Sequence, residues 1–135
     1  MSGRNLPDFS GLTFLIVEDS DVTRQLLSDL LRVCGAVVVE ASSIRAAKEQ
    51  VGTRKLDMIV TDLALPDEDG AMFLKWLRAQ PAERGGRVPA LVLTAFYERY
   101  GPDDLTGWTA YLQKPVEIGQ FVRTVADILR IPTPI

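Results

Sequence analysis

The chain contains no histidine and a single cysteine, Cys34. Without imidazole it has no general base of that kind, no nitrogen ligand for a transition metal and no histidine on which to carry a phosphoryl group of its own. One cysteine excludes a disulfide within the chain. Its place in the apolar stretch Leu30-Leu31-Arg32-Val33-Cys34, near a predicted helix end, reads as a small buried hydrophobe. Long apolar runs are also missing. Leu12 to Val17 is too short for a membrane span or a signal-peptide core, and it leads straight into acids, so the expectation is a cytoplasmic protein with no membrane insertion. Nor is there a basic excess: 15 Lys and Arg are scattered among 18 Asp and Glu, for a net charge of −3. That balance leaves no electrostatic footprint for direct nucleic-acid binding.

What is present fits one domain with a real core, because 135 residues leave no room for a second catalytic domain within the chain. Residues 1–10 are polar, with Gly3 and Pro7, and read as a flexible lead-in. The folded unit is expected over 11–130, with 131–135 as a tail or linker stub, since Pro132 and Pro134 cannot continue a helix. Between these limits short apolar runs alternate with stretches of helical period, which predicts βαβ units and a parallel sheet. Strands are expected at Thr13–Val17, Ala36–Val39, Met58–Thr61, Ala90–Thr94 and Ala110–Gln113. The first helix is expected from Asp21 to Val33 with Gly35 as its stop, and the second after Ser42-Ser43, ending at Gly52. The third carries Phe73, Leu74 and Leu77. The last runs from Glu117 to Leu129, with Ile118, Phe121, Val122, Val125 and Leu129 on one face. Pro81 to Pro89 reads as a polar surface loop.

Four of the apolar runs end in chemistry. Glu18-Asp19 follows the first strand, Asp62 the third, Thr94 the fourth and Lys114 the fifth. In an open parallel sheet ligands bind outside the carboxyl ends of the strands, so these groups converge on one pocket. Three carboxylates so placed repel by about 4 kcal/mol per pair at ~4 Å and an effective dielectric near 20. Positive charge must sit among them. Lys114 brings one charge, and Mg²⁺ is the natural second, a hard cation suited to carboxylates where no His or Cys is near. A carboxylate held against both stays ionised and can attack phosphorus.

The segments Ile16-Val17-Glu18-Asp19-Ser20, Thr61-Asp62-Leu63-Ala64-Leu65-Pro66-Asp67-Glu68-Asp69-Gly70, Leu93-Thr94-Ala95 and Tyr111-Leu112-Gln113-Lys114-Pro115 resemble the markers of the two-component response regulator receiver domain. The similarity covers about Gly11 to Leu129. It implies a five-stranded parallel α/β sheet in a doubly wound, flavodoxin-like three-layer sandwich. It further implies an aspartyl phosphate on Asp62, formed with phosphoryl from a histidine kinase or histidine phosphotransfer protein, and a changed surface that a downstream protein target reads. The domain would be regulatory, catalysing only its own phosphorylation and dephosphorylation. In the same resemblance Asp19 binds Mg²⁺ directly, Glu18 through water, and Asp62 and the Ala64 carbonyl complete the protein ligands. Lys114 pairs with a phosphoryl oxygen across a cis Lys114-Pro115 bond. Thr94 bonds another oxygen and moves inward, and Tyr111 is the switch aromatic that rotates into the space behind it.

The chain departs from the pattern between Thr94 and Tyr111, where the segment looks about two residues short and is broken by Gly101-Pro102. A short or irregular fourth helix is expected there. That face is where receivers dimerise or dock, so its irregularity counts against the usual homodimer. Phe96, Tyr97, Tyr100 and Trp108 either form an aromatic partner surface or fill the space of the missing turn. Ala64 and Phe96 stand where relatives often carry polar side chains that influence hydrolytic water, so loss of phosphate at a moderate to slow rate, limited by access past Phe96, is expected. The stretch Pro81 to Pro89 is similar to receivers attached to hybrid sensor kinases; a stand-alone regulator, a relay intermediate and an excised domain all remain open. Two other functions compete. A haloacid-dehalogenase-type phosphohydrolase also uses Asp, a hydroxyl, Lys and Mg²⁺, but Glu18-Asp19-Ser20-Asp21 matches its alternating acids poorly. A receiver-fold module that binds partners without phosphorylation would have little use for the complete acid, hydroxyl and lysine set.

Overall fold

Successive side chains of a strand point to opposite faces, and the strands of this chain are apolar on both. Along Thr13–Val17 (β1), Phe14 and Ile16 join one buried cluster while Leu15 and Val17 join another. The same division holds for Met58–Asp62 (β3) and Ala90–Thr94 (β4), both buried at every position. A strand apolar on both faces has to be covered on both, and helices do the covering. Helices α1 (Asp21–Val33) and α4 (Ile118–Leu129) supply Leu27, Leu31, Phe121 and Val125 to the first cluster. Helices α2 (Ile44–Thr53) and α3 (Gly70–Arg78) supply Ile44, Val51, Phe73 and Leu77 to the second. With Val37–Ala41 (β2) and Ala110–Gln113 (β5) at the edges, the parallel sheet runs in the order β2-β1-β3-β4-β5. These relations come from a computed structural model that describes residues 6–65, 67, 69–95 and 107–134.

The expected three-layer α/β architecture is therefore present, and most boundaries agree with the sequence reading. Helix α1 stops as expected at Gly35, which takes φ 97°. Gly35 N–H donates to Arg32 O at 2.9 Å and Ala36 N–H to Leu31 O at 3.1 Å, a Schellman closure that needs the left-handed residue. At the end of α4 the same pattern recurs without glycine. Arg130 adopts φ 57°, and Ile131 N–H reaches Ala126 O at 2.8 Å, so the helix ends before Pro132.

Four expectations are corrected. Strand β2 begins one residue later than Ala36 and continues to Ala41, because its ladder follows β1 to the Val17–Ala41 pair. Helix α2 passes Gly52 to Thr53, whose hydroxyl donates back to Glu49 O at 3.1 Å. Glu117 caps the last helix rather than opening it, accepting from Gly119 N–H at 2.8 Å and Gln120 N–H at 2.7 Å. The lead-in proposed for residues 1–10 is part of the fold from Leu6 onward. Phe9 is fully buried with its ring 5.6 Å from Phe14, and its N–H donates to Cys34 O at 2.7 Å. Leu6 packs against the same cluster, so the two apolar side chains together draw the segment onto the core. The irregular fourth helix expected between Thr94 and Ala110 falls on residues 96–106, outside the described residues.

Candidate functional site

The sheet order makes β3 the central strand, between β1 and β4, so Asp62 at its end is flanked by the ends of both neighbours. Glu18 and Asp19 leave β1 on one side. Thr94 ends β4 on the other, and β5 delivers Lys114, whose N–H donates to Thr94 O at 2.9 Å. The Lys114-Pro115 bond is cis, as the resemblance implied. All four predicted strand ends thus meet at one carboxyl edge of the sheet.

Asp62 is 6% exposed and its carboxylate is fully engaged. Oδ1 accepts from Leu63 N–H at 2.7 Å and Ala64 N–H at 3.3 Å, while Oδ2 accepts from Lys114 Nζ at 2.8 Å. Lys114 Nζ also donates to Glu18 Oε1 at 3.1 Å. One ammonium therefore ties together carboxylates from two adjacent strands. The other Glu18 oxygen, Oε2, is buried with no hydrogen bond among the described residues. Burying a carboxylate oxygen without a donor is costly, and that oxygen has the chemistry of a ligand waiting for a cation.

A cation fits this donor set. One oxygen each from Glu18, Asp19 and Asp62 lies within 4.8 Å of the others. Three oxygens around an octahedral Mg²⁺ with ~2.1 Å bonds lie ~3.0 to ~4.2 Å apart, so the three acids would draw in around such an ion. Asp19 is exposed, which leaves the outer side of such an ion open to water and to a phosphoryl oxygen.

Electrostatics agree with the geometry. Burial first, and then the adjacent, like-charged Asp62 carboxylate, push the Glu18 carboxyl up to about 7. Burial works against the Lys114 ammonium, but its bonds and charge contacts with Asp62 and Glu18 outweigh that and hold it above the ordinary lysine value. The pocket holds more negative charge than one lysine neutralises.

Three residues shape the site in ways the sequence reading did not assign. Asp67, in the loop after β3, accepts from Ile44 N–H and Arg45 N–H at 3.0 Å each and so ties that loop to the start of α2. Arg24 on α1 donates to the Glu18 carbonyl at 2.8 Å. Gly70 sits so close to Asp62 that a Cβ there would lie 2.6 Å from the Asp62 carbonyl. The glycine is required by contact, and it opens α3 behind the Asp69 cap, which accepts from Ala71 N–H at 2.8 Å. Asp67, Asp69 and Gly70 were visible as a turn-rich run; their partners were not.

The remaining predicted residues divide. Thr94 is buried beside the pocket, 2% exposed. Ala64 lies in the loop between Asp62 and its own bridge partner Asp69. Tyr111 is 39% exposed at the sheet edge, its ring edge-on to Trp108 with centroids 6.5 Å apart. Trp108 packs against the α2–α3 core cluster, which favours the space-filling reading for that residue. Trp76 stacks on Phe73 at 6.0 Å beneath Lys48 Nζ at 5.3 Å, so it is a packing residue. Phe96, Tyr97 and Tyr100 lie outside the described residues.

Comparison with known proteins points the same way. The family model described as "Response regulator receiver domain" matches residues 14–126. The KDP operon transcriptional regulatory protein KdpE of Escherichia coli K12 is 36% identical over 124 residues, covering 86% of this chain and 50% of that protein. The chain thus spans half the length of that relative. Chemotaxis response regulator CheY4 of Vibrio cholerae superposes with a TM-score of 0.79 at 27% identity, over 87% of this chain and 98% of its own. The receiver domain of sensor histidine kinase PA1611 from Pseudomonas aeruginosa PAO1, solved with a magnesium ion coordinated in its active-site cleft, gives 0.78 at 29% identity, over 90% and 99% of the two chains.

Proposed function

Since the chain belongs to the response regulator receiver domain family, we propose that Asp62 is its phosphoacceptor, taking phosphoryl from a phosphohistidine on a histidine kinase or histidine phosphotransfer protein. The observation that carries this reading is the Asp62 carboxylate itself, fixed at the end of the central strand by Leu63 N–H, Ala64 N–H and Lys114 Nζ. A carboxylate oxygen of Asp62 attacks phosphorus, the O–P bond forms, and the electron pair of the P–N bond leaves with the donor's imidazole ring. Lys114 stays within reach of the transferring oxygens and balances their charge. The Thr94 hydroxyl, on its own side of the pocket, donates a hydrogen bond to another oxygen once the group has arrived. Glu18, Asp19, Asp62 and the Ala64 carbonyl would hold Mg²⁺, which supplies further charge neutralisation at the phosphoryl group. The downstream reading, a Thr94 and Tyr111 rearrangement that a protein target recognises, follows from the added charge of roughly −1.5 to −2.

The donor protein is offered one face in particular. Val22, Leu26 and Ile118 are exposed apolar residues beside a groove of about 180 Å³ between α1 and the Lys114-Pro115 turn. Lys114 lines that groove and also holds Asp62, so a helix seated there brings its histidine to the nucleophile.

Intact mass spectrometry tests both statements. With Mg²⁺ and acetyl phosphate the wild type gains one phosphoryl group and Asp62→Asn gains none. No adduct on the wild type from any donor would leave a binding module that works without phosphorylation. Leu26→Glu keeps the acetyl phosphate reaction and loses transfer from the protein donor; equal loss from both donors would count against the groove.

A further inference from the structure

Arg24 is an odd residue for its position. It is the fourth residue of α1, inside the first turn, where the positive end of the helix dipole disfavours a cation. It is nevertheless held there by all three guanidinium nitrogens. Nε donates to Glu40 Oε1 at 3.2 Å, one terminal nitrogen to Asp21 Oδ1 at 2.5 Å, and the other to the backbone carbonyl of Glu18 at 2.8 Å. The side chain is 17% exposed. Glu40 is itself gripped from the other side by Arg32, at 3.2 Å.

The carbonyl contact matters most. Glu18 N–H donates to Ala41 O at 3.0 Å, so with Arg24 on its carbonyl both backbone groups of Glu18 are fixed. The peptide between Glu18 and Asp19 cannot rotate without breaking a charge-assisted bond.

We propose that Arg24 is a positioning residue for the cation site, holding the Glu18–Asp19 turn so that both carboxylates face Asp62 before the cation binds. This rests on the proposal above that Mg²⁺ occupies the three-acid pocket. It makes a prediction opposite in sign to simple electrostatics. A guanidinium near a dication repels it, so a purely electrostatic neighbour would be removed with a gain in Mg²⁺ affinity. A positioning residue is removed with a loss.

The test is Mg²⁺ binding by titration calorimetry on the full chain, at a pH above the Glu18 value, with thermal unfolding recorded for each variant. Arg24→Ala weakens Mg²⁺ about tenfold or more, the usual cost of losing a group that orients a metal ligand. Arg24→Lys recovers part of that loss, since one ammonium can reach the carbonyl but not three acceptors. Arg32→Ala removes a charge from the same network without touching the Glu18 carbonyl, and leaves Mg²⁺ affinity within about twofold of wild type. Unchanged or tighter binding by folded Arg24→Ala overturns the proposal. If that variant does not fold, Arg24→Lys decides it, and wild-type affinity there overturns it equally. A wild type that binds no Mg²⁺ overturns the site reading and this inference together; normal wild-type binding with an indifferent Arg24 overturns the inference alone.

Discussion

Lys114 and Arg78 are both tucked against this fold, and their company differs. Lys114, at the carboxyl edge of the sheet, bonds two carboxylates. Arg78, at the end of α3, bonds three backbone carbonyls: Gly107 O at 3.0 Å, Gly86 O at 3.2 Å and Val88 O at 2.7 Å. Burial lowers the Arg78 value, whereas the acids around Lys114 raise its own. A cation satisfied by neutral carbonyls has nothing to exchange, and its fork-shaped donor set fastens the loop before β4 to the segment before β5. A cation shared between two acids can be redistributed when a metal or a phosphoryl group arrives. The first arrangement keeps shape; the second allows chemistry.

Three measurements press on that distinction. The largest effect belongs to Lys114→Met, which should cut the rate of Asp62 phosphorylation by about a hundredfold or more, as for loss of one preorganised donor at a transition state. With Mg²⁺ saturating, its stability should stay within about 1 kcal/mol of wild type, because the metal compensates the acids. Stopped-flow phosphorylation and chemical unfolding read the two quantities separately. Arg78→Ala should behave in the reverse way, losing roughly 3 kcal/mol of stability through its orphaned carbonyls while the folded fraction still phosphorylates. Normal stability in Arg78→Ala would erase the contrast.

The smallest effect is a pH dependence. The Glu18 value is raised from 4.5 to about 7, so the fold prefers the protonated acid. That contribution is complete below about 4.5 and is lost as pH rises through about 7. The metal-free protein should therefore lose melting temperature across that window relative to Glu18→Gln. Saturating Mg²⁺ should flatten the curve, since the metal requires the ionised acid and its binding releases a proton. Parallel curves with and without Mg²⁺ would separate Glu18 from the cation.

Much of the acidic pocket was legible in the sequence because its residues stand at strand ends, and strand ends can be read from apolar runs. Glu18, Asp62, Thr94 and Lys114 stand at the ends of short apolar runs, and a short apolar run bounded by turn residues reads as a buried strand. The three-layer arrangement was legible for the same reason. Arg24, Arg78 and Asp67 were not, because each recognises backbone groups, and a backbone carbonyl or N–H looks the same under every residue. Arg78 meets Gly107 across 29 positions and Asp67 meets Ile44 across 23. No periodicity links such pairs. Phe9 was missed for a different reason: a lone aromatic in a polar stretch has no pattern to belong to, only a hole beside Phe14 that exists once the sheet has formed.

The edge-on contact between Trp108 and Tyr111 has a practical consequence. The chain has two tryptophans, and the other, Trp76, is stacked on Phe73 against the α2–α3 side of the sheet. One fluorophore thus lies against the proposed switch aromatic, and the second is on helix α3, stacked on Phe73. Rotation of Tyr111 would register in the emission of Trp108, with Trp76 as an internal reference, so the protein carries its own optical gauge without an attached dye.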